Sequence, residues 1–271
     1  MFQLFNLYHW IYIVIATILF ILLDRVLIKI EKDKQYRFLF ILSIANFCIH
    51  FLKVLLEPEA SQTSKIYRTA LTNLCAVNTF FYPFVLKSKN KSLLNYFEFM
   101  GFFSGLIALV VCPDLNDTVP FKIENIRYWI THFILMFISF ELMRTKMVKF
   151  SYRLLPFCYL CFFIEQGIIY LNDYVLFVSG VTDCIDYSNA SFTYGIKDSF
   201  QPYLGFANYL IPSIFYKDGI YTPLLWMIFP MLVVLLLAFI FTIIFIDREQ
   251  FIADFKKIKE YIKDKISKKK T

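Results

Sequence analysis

Cys75, His132 and His50 carry the side chains of this chain best suited to act on a substrate, and each interrupts a long apolar run. A cysteine near a histidine is the minimum set for a thiolate nucleophile. The imidazole accepts the thiol proton and holds the thiolate as an ion pair. A carboxylate or amide beside the ring fixes its tautomer, a task open to Asp173 or Asn172. Free cysteine is also a common small buried hydrophobe, so spacing alone leaves a packing role open for Cys75. For the histidines, an intramembrane setting favours a site or pathway.

Metal ligation is the competing chemistry. His9, His50, His132 and Cys75 offer nitrogen and sulfur to zinc, but no tight pair such as H-x-x-x-H occurs, and neither a metal nor a cofactor is expected. Cys158 and Cys161 form C-x-x-C without a second pair, which points to neither zinc nor redox work. Cys112 and Cys184 fall on the same side of the chain's topology, and a disulfide between them is left open. No phosphate-binding glycine loop and no Gly-x-Ser-x-Gly elbow is present.

The elements that must position these residues are membrane spans. Of the 271 residues, 59% are hydrophobic and 33 are Phe. A soluble chain carries about 45–50% apolar residues. The excess lies in seven runs long enough to cross a bilayer: 9–30, 38–56, 69–86, 93–112, 126–143, 154–176 and 222–246. The expected fold is all-α, a bundle of seven transmembrane helices in residues 1–246, with a basic amphipathic tail over 247–271. Basic loops alternate with acidic or mixed ones, which places the N-terminus outside and the C-terminus inside. The net charge of +7 sits largely in the tail and gives no reason to expect nucleic acid.

Orientation sets depth. Cys75 and His132 each fall six residues inside an outer boundary, about 9 Å down at about 1.5 Å per residue. His50 is at similar depth, His9 opens the first span, and Asn172 and Asp173 close the sixth. Glu165, near the middle of the sixth, suits proton relay, cation binding or helix–helix hydrogen bonding. Residues 172–221, rich in aromatics, Pro and Gly, form either a re-entrant or interfacial cap or an ordinary exposed loop. Gly101 and Gly105 make a close-packing G-x-x-x-G face, and Pro83 and Pro230 are expected to kink their helices. In the tail, Phe251, Phe255, Ile258 and Ile262 recur at helical spacing among lysines, suiting an anionic inner leaflet.

Several motifs together resemble the YwaF-like integral membrane family, bacterial relatives of a vertebrate transmembrane phospholipid acyltransferase. His9 in Leu-Tyr-His-Trp resembles the family's histidine at the first helix. Asn73-Leu74-Cys75 resembles its His-Leu-Cys, with Asn73 where the family has His. The 111–115 segment, Trp129–Phe133 and Asn189–Gly195 match in order. The resemblance implies a lipid-active enzyme with a cysteine thioester, Cys75 attacking and His132 taking its proton. His50, His9, Asn73, Asn172, Asp173 and Glu165 would then line a cavity open to the outer leaflet.

Three readings therefore stand. One is a lipid acyltransferase or acyl hydrolase of the cell membrane, partnered by membrane lipids. Another is a small-solute transporter or substrate-binding subunit with Glu165, His50 and His132 on its path. The last is a scaffold whose tail docks a cytoplasmic protein that the sequence does not identify.

Overall fold

The computed structural model describes residues 3, 5–55, 61–111, 118–147, 151–187, 189–197, 201 and 205–268. Cys112 of the candidate disulfide and most of the 111–115 motif lie outside the described residues, while Cys184 is an exposed free thiol.

The chain is a helical bundle. Its helices are α1 (Leu7–Ile28), α2 (Lys32–Leu52), α3 (Gln62–Thr69), α4 (Leu74–Ser88), α5 (Lys91–Val111), α6 (Ile123–Arg144), α7 (Leu155–Val178), α8 (Ile228–Phe245) and α9 (Arg248–Lys268). Among the described residues, six helices are long and apolar enough to cross a membrane, or seven if α3 and α4, bent by 61°, make one broken span. This is a multi-pass membrane protein. The side carrying the N-terminus is called here the amino face, and the side carrying α9 the tail face.

Burial shows which helices face lipid. In α6, 56% of the apolar window is buried, against 11% in α1 and in the last span. The centre is therefore α5 against α6, with α1 and α8 on the rim. Their outward residues, such as Val14, Ile18, Leu22, Leu236 and Ile240, remain exposed as lipid contact requires. The G-x-x-x-G face is the reason α5 and α6 can pack so closely. A Cβ at Gly105 would fall 2.8 Å from the His132 carbonyl oxygen, and one at Gly101 2.4 Å from Ser139 Oγ. Tyr82 from α4 joins this seam through a 2.9 Å hydrogen bond to Ser139.

Polar locks close the tail face. Gln35 Nε2 donates to the Leu27 and Ile30 carbonyls at 2.8 and 2.9 Å, satisfying oxygens left over at the end of α1. Arg144 bridges Asp24 of α1, at 2.6 Å, and Glu141 of its own helix. The tail forms the expected helix. Asp254 pairs with Arg153 and Tyr152, Ser151 donates to Asp247 at 2.9 Å, and Phe251 packs on Tyr152 and Phe239. Phe255, Ile258 and Ile262 stay exposed along one side.

Two expectations change. The third span is not continuous: residues 70–73 leave the helix between α3 and α4. Pro230 is the third residue of α8, following a 3-10 turn at Leu225–Met227, so it occupies a first turn where proline is tolerated without a kink.

Candidate functional site

The break between α3 and α4 builds the site. Ala70 and Asn73 have extended backbone, and Asn73 Oδ1 accepts from the Ala76 amide at 2.9 Å, capping α4. Non-helical backbone at membrane depth must be covered by protein or line a cavity. Here two side chains hold it. His50 Nε2 donates to the Thr69 carbonyl at 3.1 Å, and Ser191 Oγ accepts from the Leu74 amide at 2.9 Å.

Cys75 is thus the second residue of α4, not six residues inside an unbroken span. Its sulfur lies at the end of the helix where the peptide dipoles favour negative charge, a setting in which cysteines become nucleophilic. The thiol is half-buried and points to the Ser104 carbonyl of α5, 3.9 Å away.

His132 reaches the same level of α5 from the other side. Its backbone oxygen is the atom pressed against Gly105, the residue after Ser104. Its Nδ1 lies 2.7 Å from the Tyr128 carbonyl, and the two rings meet at a tilt with centroids 4.1 Å apart. A carbonyl only accepts, so Nδ1 carries the proton and the neutral ring keeps its lone pair at Nε2. Nothing among the described residues hydrogen-bonds Nε2. The tautomer is therefore set by Tyr128 backbone rather than by Asp173 or Asn172.

Asn46, one turn before His50, closes the fourth side. Its Nδ2 donates to the Thr131 carbonyl at 3.2 Å and approaches Thr79 Oγ1, one turn below Cys75, at 3.5 Å. Asn46 Oδ1 and Ser104 Oγ are buried without a hydrogen-bond partner among the described residues. Asn46 was detectable by its i−4 spacing from His50. Ser104 and Tyr128 were not, because their carbonyls carry no sequence signature.

The other candidate residues lie elsewhere. Glu165 accepts from Tyr96 at 2.7 Å and from Asn78 at 3.5 Å, in an α4–α5–α7 cluster. Neighbouring Gln166 holds the 189–196 segment through Thr193 at 2.8 Å. Ser191, Thr193 and Ile196 are buried and Trp226 Nε1 donates to the Phe192 carbonyl, so this part of the 172–221 segment folds back as a cap. Asp173 is buried at the end of α7 near Tyr194, and Asn172 Nδ2 is buried without a partner. His9 braces α1 against α5. Nδ1 accepts from the Phe5 amide at 2.8 Å, which makes Nε2 the donor to the Leu109 carbonyl at 3.1 Å. No cluster of His, Cys, Asp and Glu with metal-binding geometry occurs among the described residues.

Fold and site together define a multi-pass helical membrane protein with buried polar groups gathered around a broken span. The sequence matches the model of the TMEM164 family over residues 4–246, and the chain belongs to that family. The matched stretch ends before α9. No curated protein and no solved structure matches the chain.

Proposed function

We propose that this protein transfers or hydrolyses acyl groups of membrane lipids through a thioester on Cys75. The observations that carry the reading are a cysteine at a helix start directed at the Ser104 carbonyl, and a histidine of fixed tautomer whose backbone lies against Gly105, the next residue of α5. His132 Nε2 takes the Sγ proton as sulfur attacks the ester carbonyl of a lipid. The carbon–oxygen ester bond breaks, and the imidazolium returns the proton to the departing alkoxide. A second hydroxyl, or water, then attacks the thioester, again giving its proton to His132, and the thiol is restored. No cofactor enters these steps. The resemblance to the YwaF-like family and its vertebrate acyltransferase relatives supports the same chemistry.

The loop charges orient the amino face outwards, in a cell membrane, with the Cys75–His132 site towards the outer leaflet. The exposed apolar side of α9, flanked by lysines, then rests on anionic inner-leaflet lipids. The test is acyl transfer from a radiolabelled phospholipid in nanodiscs. A label on Cys75 that hydroxylamine releases at neutral pH supports the reading, and a folded protein that never carries label rejects it.

One observation favours the transporter reading. Glu98 is fully buried with neither carboxyl oxygen bonded, and Glu165 Oε1 is also unpartnered. Intramembrane acids of this kind mark ion or proton paths. Uptake that Glu165→Gln abolishes and Cys75→Ala leaves intact would establish that alternative.

A further inference from the structure

The amino face carries a concentration of positive charge that the acyl chemistry does not use. The hydrogen bond from His50 to the Thr69 carbonyl, 3.1 Å, draws the end of α2 onto the end of α3. Lys53, three residues beyond His50, is thereby set beside Arg68. Arg68 in turn reaches Glu124 at the start of α6, 3.8 Å away, and Arg127 follows Glu124 by one turn. Three cations from three segments thus meet at the amino face. Glu124 is the single carboxylate shown among them, and Lys122 also binds it, at 2.7 Å.

Lys53 and Arg127 are half-buried, and neither is ion-paired among the described residues. They lie within electrostatic reach of one another and of both His50 and His132. Like charges gathered at a partly desolvated surface repel, and a protein that gathers them without counter-charge keeps a place for an anion. The arrangement also runs against the charge bias expected of this face, where lysine and arginine are depleted. The fork of Arg127 and the ammonium of Lys53 suit phosphate oxygens. Arg127 lies in the second turn of the helix that carries His132, so the anion would sit about 7–8 Å, five residues of rise, above the imidazole.

We propose that Lys53, Arg127 and Arg68 hold a phosphate group at the amino face, above His132 and the start of α4. This rests on the acyl-transfer reading for its role: a phosphate anchored there leaves the ester of the same lipid to descend towards Cys75. The chemistry alone fits either a phospholipid headgroup or free phosphate.

The full-length protein in uncharged detergent is examined by native mass spectrometry. Dioctanoylphosphatidylcholine, dioctanoylglycerol with the same chains and no phosphate, and inorganic phosphate serve as probes. The phospholipid should bind at least about tenfold more tightly than dioctanoylglycerol, in keeping with hydrogen bonds to charged groups. Lys53→Gln and Arg127→Gln should each remove most of that preference, Arg127→Lys should restore part of it, and Lys217→Gln should change nothing. Inorganic phosphate that displaces the phospholipid at equal concentration assigns the site to free phosphate, and failure to displace assigns it to the headgroup. Equal binding of the two lipids, or a preference that survives the Lys53→Gln/Arg127→Gln double variant, overturns the site. Cys75→Ala separates the two ideas. It should keep the binding preference; in the wild-type protein, a preference without any thioester sinks the acyl reading alone, and a thioester without the preference sinks this one.

Discussion

His132 donates from Nδ1 to the carbonyl of Tyr128, one turn earlier in α6, across 2.7 Å. The partner is backbone, so no side-chain exchange at position 128 can remove it, and the ring is oriented by the helix itself. If His132 is the base for Cys75, its loss should slow acylation about 10²–10⁴-fold while leaving the fold intact. Acylation is read as hydroxylamine-sensitive label from a radioactive phospholipid. His132→Ala with wild-type rates would remove the imidazole from the mechanism, and Cys75→Ala should carry no label at all.

Asn73 offers a way to separate folding from chemistry. Asn73→Ala removes the cap of α4 and should cost about 0.5–2 kcal/mol in thermal stability. Asn73→Asp keeps the cap but puts a negative charge two residues from Cys75, so stability should hold while thioester formation slows. Equal acylation rates in Asn73→Asp and wild type would show that no thiolate develops at this helix start.

Gly105 and Gly167 should respond in opposite ways to alanine. At Gly105 the added carbon would lie 2.8 Å from backbone atoms of His132 and Met136, forcing α5 from α6. That should cost about 1–3 kcal/mol. At Gly167 nothing lies within 4 Å, and alanine should be neutral or stabilise α7 by up to about 1 kcal/mol. Melting temperatures of the two variants in one detergent decide the matter, and equal shifts would contradict the close α5–α6 contact.

Tail docking should depend on acid. The Arg153 guanidinium, then the Tyr152 hydroxyl, hold the Asp254 carboxyl down to about 2 from 3.8. A depressed carboxylate contributes its stabilisation fully above its unfolded value and loses it as pH falls towards about 2. A fluorophore at the end of α9 should therefore report release between about pH 4 and 2, and Asp254→Asn should release the tail at neutral pH. A pH-independent Asp254→Asn tail that stays docked would assign the contact to Phe251 instead.

What the sequence revealed follows from what hydropathy measures. Six of the apolar runs became single helices, with ends moved by a few residues, because each is long and uniformly apolar. The break before α4 escaped notice since Ala70 and Leu71 are as apolar as any helix interior. The one hint was Asn73, a capping residue just ahead of an apolar run. Cys75 and His132 were visible by residue type. Their surroundings were not, because Ser104, Tyr128 and Thr131 contribute backbone oxygens that any residue possesses. The meeting of Lys53, Arg68 and Arg127 depends on a hydrogen bond between α2 and α3, and loop-by-loop charge counting cannot see it.

The bond between the Leu74 amide and Ser191 spans 117 residues of sequence. Its consequence concerns biosynthesis. A ribosome feeding this chain into a membrane delivers Cys75 well before the serine that steadies its helix. Until residue 191 arrives, that amide lacks this acceptor, and the start of α4 has its Asn73 cap without the second tie. This contact can form only once more than two thirds of the 271-residue chain has been made, so the break before α4 is completed by a segment that arrives late in synthesis.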